Sequence, residues 1–169
     1  DIRALTTAQV SALTASQVEV LTIPQLVAMT TAQIAALTSP LSDEQQVARD
    51  VGALTTAAVR SLTTAQVAAW STAHAAALSS AQVAAMSTAQ VRAFETADLQ
   101  ALSASVITGM TSSQVAALTT AQVAALTTVQ IAAIEVADLR VLSAAQIAAL
   151  TSEQFSALTR IQAASLSTA

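Results

Sequence analysis

Four carboxylates are the residues here whose types and spacing could do chemistry. Glu95 with Asp98, and Glu135 with Asp138, form two pairs five octads apart, each with its members three positions apart. That spacing puts both side chains on one helical turn, where they could share a cation. Ca²⁺, however, takes about six to eight oxygens, and each pair offers two side chains. Acidic groups also favour a helix N-terminus, which accounts for the two aspartates without a ligand. Glu95, Asp98, Glu135 and Asp138 therefore stand as metal candidates beside a plain capping role.

His74 is the single histidine, and the chain has no cysteine to join it in a metal site. Nucleophilic catalysis needs a hydroxyl beside a base that a third group orients. Serines abound, but no triad is visible. GxGxxG, P-loop and HExxH patterns are absent. The expectation is a protein without catalytic residues or cofactor, and not an enzyme.

All of these residues sit at fixed places in an internal repeat. From Leu118 the chain reads LTTAQVAA, LTTAQVAA, LTTVQIAA, IEVADLRV, LSAAQIAA, LTSEQFSA, LTRIQAAS, a period of eight. A large apolar residue opens each octad at Leu5, Leu13, Leu21, Met29 and Leu37, then from Leu54 through Trp70, Met86, Phe94 and Met110 to Leu166. Position two is Thr or Ser in 18 of these 20 units, with Glu95 and Glu135 the exceptions. In the 18 units that keep the register, position five is Gln in 13 and position six is Val, Ile, Leu or Phe in 16. Met29, Met86, Met110, Trp70, Phe94 and Phe155 stand at Leu or Val positions and read as core fillers. His74 takes the Gln position, and Gly109 takes one usually held by Ala.

A continuous helix cannot use this pattern. Each octad at about 100° per residue advances the chain by about 800°, so successive leucines would wind round the rod. Coiled coils need periods near 3.5 or 3.67. A β-solenoid is disfavoured by the Ala content and by the lack of alternation and of Gly, Asn or Asp turns. The helix must break once per octad, and the breaking point is legible. Thr followed three positions later by Gln is a capping box, and Leu before it with Val after it is the hydrophobic staple. An N-cap residue leaves helical φ/ψ, so each cap also ends the helix before it.

The predicted fold is all-α: a solenoid, or superhelix, of helices of about six to seven residues, one per octad, forming a single unit over 1–169. Helices this short are marginal alone, so the units must stack to bury Leu and Val. Ala at positions four, seven and eight should let backbones approach closely, with Thr, Ser and Gln serving helix ends and the surface.

One segment departs. In LTSPLSDEQQVARDVGAL the step from Leu37 to Leu54 is one position longer than two units would take, and the segment holds a quarter of the chain's charged residues. Pro40 disfavours helix at Ser39. An irregular insertion over 38–53 is expected, with a longer helix from roughly Asp43 to Val51. It is read as a bulge from the solenoid, with a partner-binding knob as the alternative.

Composition narrows the function classes. Hydrophobic residues make up 54% and charged residues 9%, with six Arg, no Lys and a net charge of −4. No basic stripe suits a phosphate backbone, so nucleic acid is not an expected partner. Mean hydropathy is +0.61, but polar residues interrupt each octad before the roughly 20 apolar residues that a membrane span needs. A soluble chain without membrane insertion is expected. Absence of cysteine is compatible with an oxidising exterior. The start at Asp1 without Met suggests a piece of a longer chain with flanking domains.

The units LTTAQVAALTTAQVAAL and MTTAQIAAL resemble octapeptide-repeat tracts of very large bacterial secreted or surface proteins, adhesin-like and RTX-like ones among them. The resemblance covers nearly the whole chain. It implies a long structural segment of an exported or surface protein, located outside the cell. The calcium-binding nonapeptides of RTX proteins are missing here, so calcium is not carried over. LTTAQVAAL is also similar to the opening of the first helix in TAL-effector repeats. Those repeats are about four times longer and carry a base-reading loop and basic residues that this chain lacks, so DNA binding is not implied. A structural or spacer role is the leading expectation. Binding of a protein or glycan, as in adhesion, is the alternative, and an ice-binding Thr array a second one.

Overall fold

The computed structural model describes residues 2–14, 17–18, 20–36, 51–52 and 54–166. Regular structure among them is helical throughout: a 3-10 turn at Ile2–Ala4, then short α-helices, one per octad. Most span five or six positions, as in Thr64–Ala68 and Thr120–Ala125, slightly shorter than the pattern suggests. The connections between described helices of successive octads are two to four positions long, and the chain is extended where it turns. At one junction Leu62 has φ −62° and ψ 143°, and Thr63 has φ −75° and ψ 158°. Positions one and two therefore turn the corner, as the capping argument requires.

Each helix packs on the helix three units away. Thr72–Ala76 lies on Thr96–Ala101, Thr88–Arg92 on Ser112–Ala117, and Thr128–Ala133 on Ser152–Ala157. Three helices, one from each of three octads, thus complete one coil, and the coils stack. Burial follows the octad. Position six is sealed, with Val67, Val83, Val91, Val123, Ile131 and Leu139 fully buried, and position one is buried beside it. Burying each such side chain is worth about 1.5–3 kcal/mol, which the short helices lack on their own. Trp70 and Phe94, one coil apart, place their ring centroids 6.1 Å apart in the core.

Two expectations are corrected by this packing. Ala at positions four and seven, such as Ala121 and Ala124, faces solvent and does not line the contact between coils. Position eight does: a Cβ on Gly109 would stand 2.6 Å from the Cβ of Ser80, one coil earlier. Gln at position five is not a surface residue either, because beyond the first coil it lies almost wholly buried between coils.

Register resumes across the irregular segment. Ile23–Ala28 packs on Thr56–Ser61, and Thr31–Ala36 on Thr64–Ala68. These partners are farther apart in sequence than the three octads that separate partners elsewhere. The described helices on either side are thus related as partners one coil apart, although 33 positions separate Ile23 from Thr56 and Thr31 from Thr64. The longer helix expected from Asp43 lies outside the described residues apart from Val51 and Gly52, which are helical. Among the described residues, no helix is long and apolar enough to cross a membrane.

Candidate functional site

The most elaborate polar arrangement among the described residues is built from position five. In its own unit the Gln completes the capping box. Thr119 Oγ1 accepts from the Gln122 amide at 3.1 Å, and the Thr119 amide donates to Gln122 Oε1 at 3.0 Å. The remaining half of the side chain reaches into the preceding coil. Gln114 Nε2 donates to the carbonyls of Val83 at 2.7 Å and Met86 at 2.8 Å. Gln130 does the same to Leu99 and Leu102, and Gln154 to Val123 and Leu126. The acceptors lie where one helix of the earlier coil ends and the next begins. Helix C-termini leave orphan carbonyls, and these glutamines take them.

Each Gln is thus a clip that caps the start of its own helix and the end of another four units earlier. Capping alone would accept Glu as readily as Gln. Of the two, only the amide of Gln has both the acceptor and the donor that this position uses. Gln66 keeps the pattern across the irregular segment, donating to the Met29 carbonyl at 3.0 Å. Gln82 reaches the carbonyls of Val51 and Leu54, both at 2.8 Å.

His74 replaces one clip. Its Nδ1 accepts from the Ser71 amide at 3.0 Å, lies 2.6 Å from Ser71 Oγ, and its ring stacks on Trp70 with centroids 6.0 Å apart. Burial lowers its pKa to about 4. A Ser–His contact of this length resembles a nucleophile with its base, but Nδ1 already holds the N-cap amide and the ring is buried. The arrangement is a capping box with imidazole in place of the amide.

The acidic candidates divide in two. Glu95 and Glu135 are N-caps whose side chains make no capping bond. Asp98 and Asp138 occupy the buried clip position. Asp138 accepts a hydrogen bond from Ser112 Oγ one coil earlier. Asp98 accepts from the Glu95 amide, while its Oδ2 is buried without a partner. Burial chiefly, and then the Glu95 charge, raise its pKa against the opposing effect of that amide bond. Five units separate the two pairs, so they fall on different stacks of the three-helix coil and do not converge. Among the described residues no group of three His, Cys, Asp or Glu comes together.

The outer surface is small and polar: Thr, Ser and Ala at positions two, three, four and seven. An open groove of about 350 Å³ at the last coil is lined by Arg140, Arg160, Ile161, Ala164 and Ser165.

Residues 117–122 spell Ala-Leu-Thr-Thr-Ala-Gln, the corner, cap and clip in succession. The family model described as the ALTTAQ repeat matches residues 1–31, 48–80, 91–128 and 131–168. The chain belongs to the ALTTAQ repeat family. No curated protein and no solved structure matches it. In physical terms the ALTTAQ signature names the spacer at position eight, the buried corner residue, the cap, two exposed positions and the clip.

Proposed function

We propose that this ALTTAQ tract is a non-enzymatic structural spacer, part of a bacterial exported or surface protein. The observation that supports this reading is the glutamine ladder. The residues that elsewhere do chemistry are here spent on closing helix ends. Thr and Ser at position two accept from backbone amides, and His74 is buried in a capping box. What faces outward is a repeated, nearly uncharged surface on a stack that grows by whole coils, with stability expected as a sum of unit and interface contributions. The exported setting rests on the likeness to octapeptide tracts and on a chain without cysteine.

Length variants test this. Deleting one whole coil, residues 110–133, should leave a folded, shorter particle that melts lower, and inserting a further copy should do the reverse. A scattering profile in which particle length does not follow coil number would overturn the spacer reading. A glycan or protein screen giving saturable binding that vanishes when residues 41–51 are removed would replace it with the adhesion reading. Position-two hydroxyls are already committed to caps, so an ice-facing array would have to use position three, as at Thr120 and Thr128; thermal hysteresis measures that directly.

A further inference from the structure

Two clip positions in succession hold side chains that cannot clip. Asp98 and Val106 stand where the units before have Gln82 and Gln90 and the units after have Gln114, Gln122 and Gln130. No other successive pair among the described residues lacks its glutamines. By the offsets of the working clips, a Gln at 98 would take the carbonyls of Val67 and Trp70, and one at 106 those of Ala75 and Leu78. No side chain donates to any of these four among the described residues. Four hydrogen bonds are thus missing from one seam, where Thr96–Ala101 lies on Thr72–Ala76 and Ala104–Thr108 on Ser80–Ala85. One coil later the corresponding seam has both clips: Gln122 reaches Phe94, and Gln130 reaches Leu99 and Leu102.

What crosses the unclipped seam is mostly apolar. The Trp70 and Phe94 rings meet across it with their planes 47° apart, and Val106 is buried in the place of a glutamine. One exposed hydrogen bond compensates, from Ser80 Oγ to the Ser105 carbonyl at 2.9 Å. Apolar attraction is non-directional, so it holds two coils together without fixing how one is set on the other. With the seam closed, Asp98 Oδ2 is buried without a partner, and opening admits water to it. Gly109, whose Cβ would collide with Ser80, lies here too. Trp70, Phe94, Asp98, Val106 and Gly109 depart from the octad at separate places in the chain, and all five lie on this one seam.

We propose that this seam is a hinge built into the stack, where two folded blocks tilt apart about a single clipped edge. The pivot is Gln90, which still holds the carbonyls of Val59 and Leu62 at 2.9 and 2.7 Å on the third side of the coil. The other two sides, at Trp70 and Leu78, have nothing equivalent to release. Units of a solenoid contact only their neighbours, so the interface with the fewest cross-coil bonds opens first, as a local event below global unfolding. Such a hinge lets the rod bend at one place while the coils on either side keep their clips. It follows from the bonding of the seam whether or not the tract serves as a spacer.

The chain has no cysteine, so one introduced thiol reports opening. Ile107→Cys and Ile131→Cys place the same residue at buried position six of two helices one coil apart. The first helix docks through the unclipped seam and the second through the clipped one. Labelling of the native protein by N-ethylmaleimide should be at least about tenfold faster at 107, because four bonds are missing there and one is gained. Restoring the clips with D98Q/V106Q should bring the two rates close together, which a uniform gain in stability would not do. Equal rates in the parent, or a ratio that the restored clips leave unchanged, would overturn the hinge. If the double variant does not fold, Gln122→Asp with Gln130→Val writes the same departures into the next seam. Labelling at 131 should then rise toward that at 107, and a rate that stays put would count equally against the proposal.

Discussion

Asp98→Gln should stabilise this protein, although it alters a buried residue. In the present chain Asp98 Oδ2 is buried and unpartnered. By the offsets that the clips use, a Gln at this position would reach the carbonyls of Val67 and Trp70. Leaving one buried polar atom unsatisfied costs about 1–3 kcal/mol. A Gln would place an amide donor there, as Gln90 does on Val59 at 2.9 Å and Leu62 at 2.7 Å, and Gln122 on Phe94 at 2.9 Å. Two such bonds contribute roughly 0.5–1.5 kcal/mol each, offset by up to about 2 kcal/mol for ordering a longer side chain. The net expectation is a gain of about 1–2 kcal/mol, or roughly 2–8 °C in melting temperature for a domain of this size.

The same substitution has a pH signature. A carboxyl whose folded pKa lies above its unfolded value favours folding while protonated, and that preference is lost as pH rises through the folded pKa. Asp98 is such a group. The advantage of Asp98→Gln should therefore be smallest at about pH 3.5 and largest at neutral pH. Melting followed by circular dichroism at both pH values decides it. A variant that melts at or below the parent at neutral pH, or whose gain is the same at both, would refute the clip argument at this site.

Four further outcomes follow from the same geometry. Gln130→Leu removes the partner of the Thr127 amide and of the Leu102 carbonyl, so it should cost about 2–5 kcal/mol in denaturant unfolding; Gln9→Leu, exposed and clipped at one end only, should cost less than about 1 kcal/mol. Thr119→Ala with Thr127→Ala should lose roughly 1 kcal/mol per cap, and unchanged melting would count against the capping box. Gly109→Ala raises helix propensity by up to about 1 kcal/mol, yet its Cβ would meet Ser80 Cβ at 2.6 Å. Overpacking costs about 1–3 kcal/mol, so the variant should melt lower in the parent and not in a Ser80→Gly background. His74, with its pKa lowered from 6.5 to about 4, binds its proton more readily when unfolded, so stability should fall as pH drops from about 6.5 to about 4, by about 3 kcal/mol in all. His74→Gln should flatten that part of the pH profile.

Cap and staple could be read from the sequence because they are local: Leu118, Thr119, Gln122 and Val123 fall within a single octad. The same locality exposed the corner at each octad and the all-helical class. The number of helices per coil is set by contacts three octads apart, and only faint traces of that distance are written in the chain. Trp70 with Phe94, and Met86 with Met110, are each one coil apart, but two coincidences among so many Leu positions carry little weight beforehand. The second task of Gln was more legible than it looked. A capping box accepts Glu, yet position five is Gln in 13 of the 18 register-keeping units and Glu in none, a bias toward a side chain that also carries a donor. Of the acidic candidates, Asp98 and Asp138 drew notice because they broke the pattern. Their burial could not be foreseen without knowing that position five points between coils.

Closure of the first clip sets a threshold on growth. Gln33 is the earliest glutamine with a described coil before it, and its amide reaches back to the carbonyls of Ile2 and Leu5. In such a tract each helix can be capped at once, but a glutamine clip closes only when the unit four earlier is already in place. Ordering about thirty residues before that reward makes nucleation slow, despite the helical content, because loop-closure entropy comes first. After that, each added octad docks on a ready template. Such a tract should fold by a late start and quick propagation from whichever end is seeded.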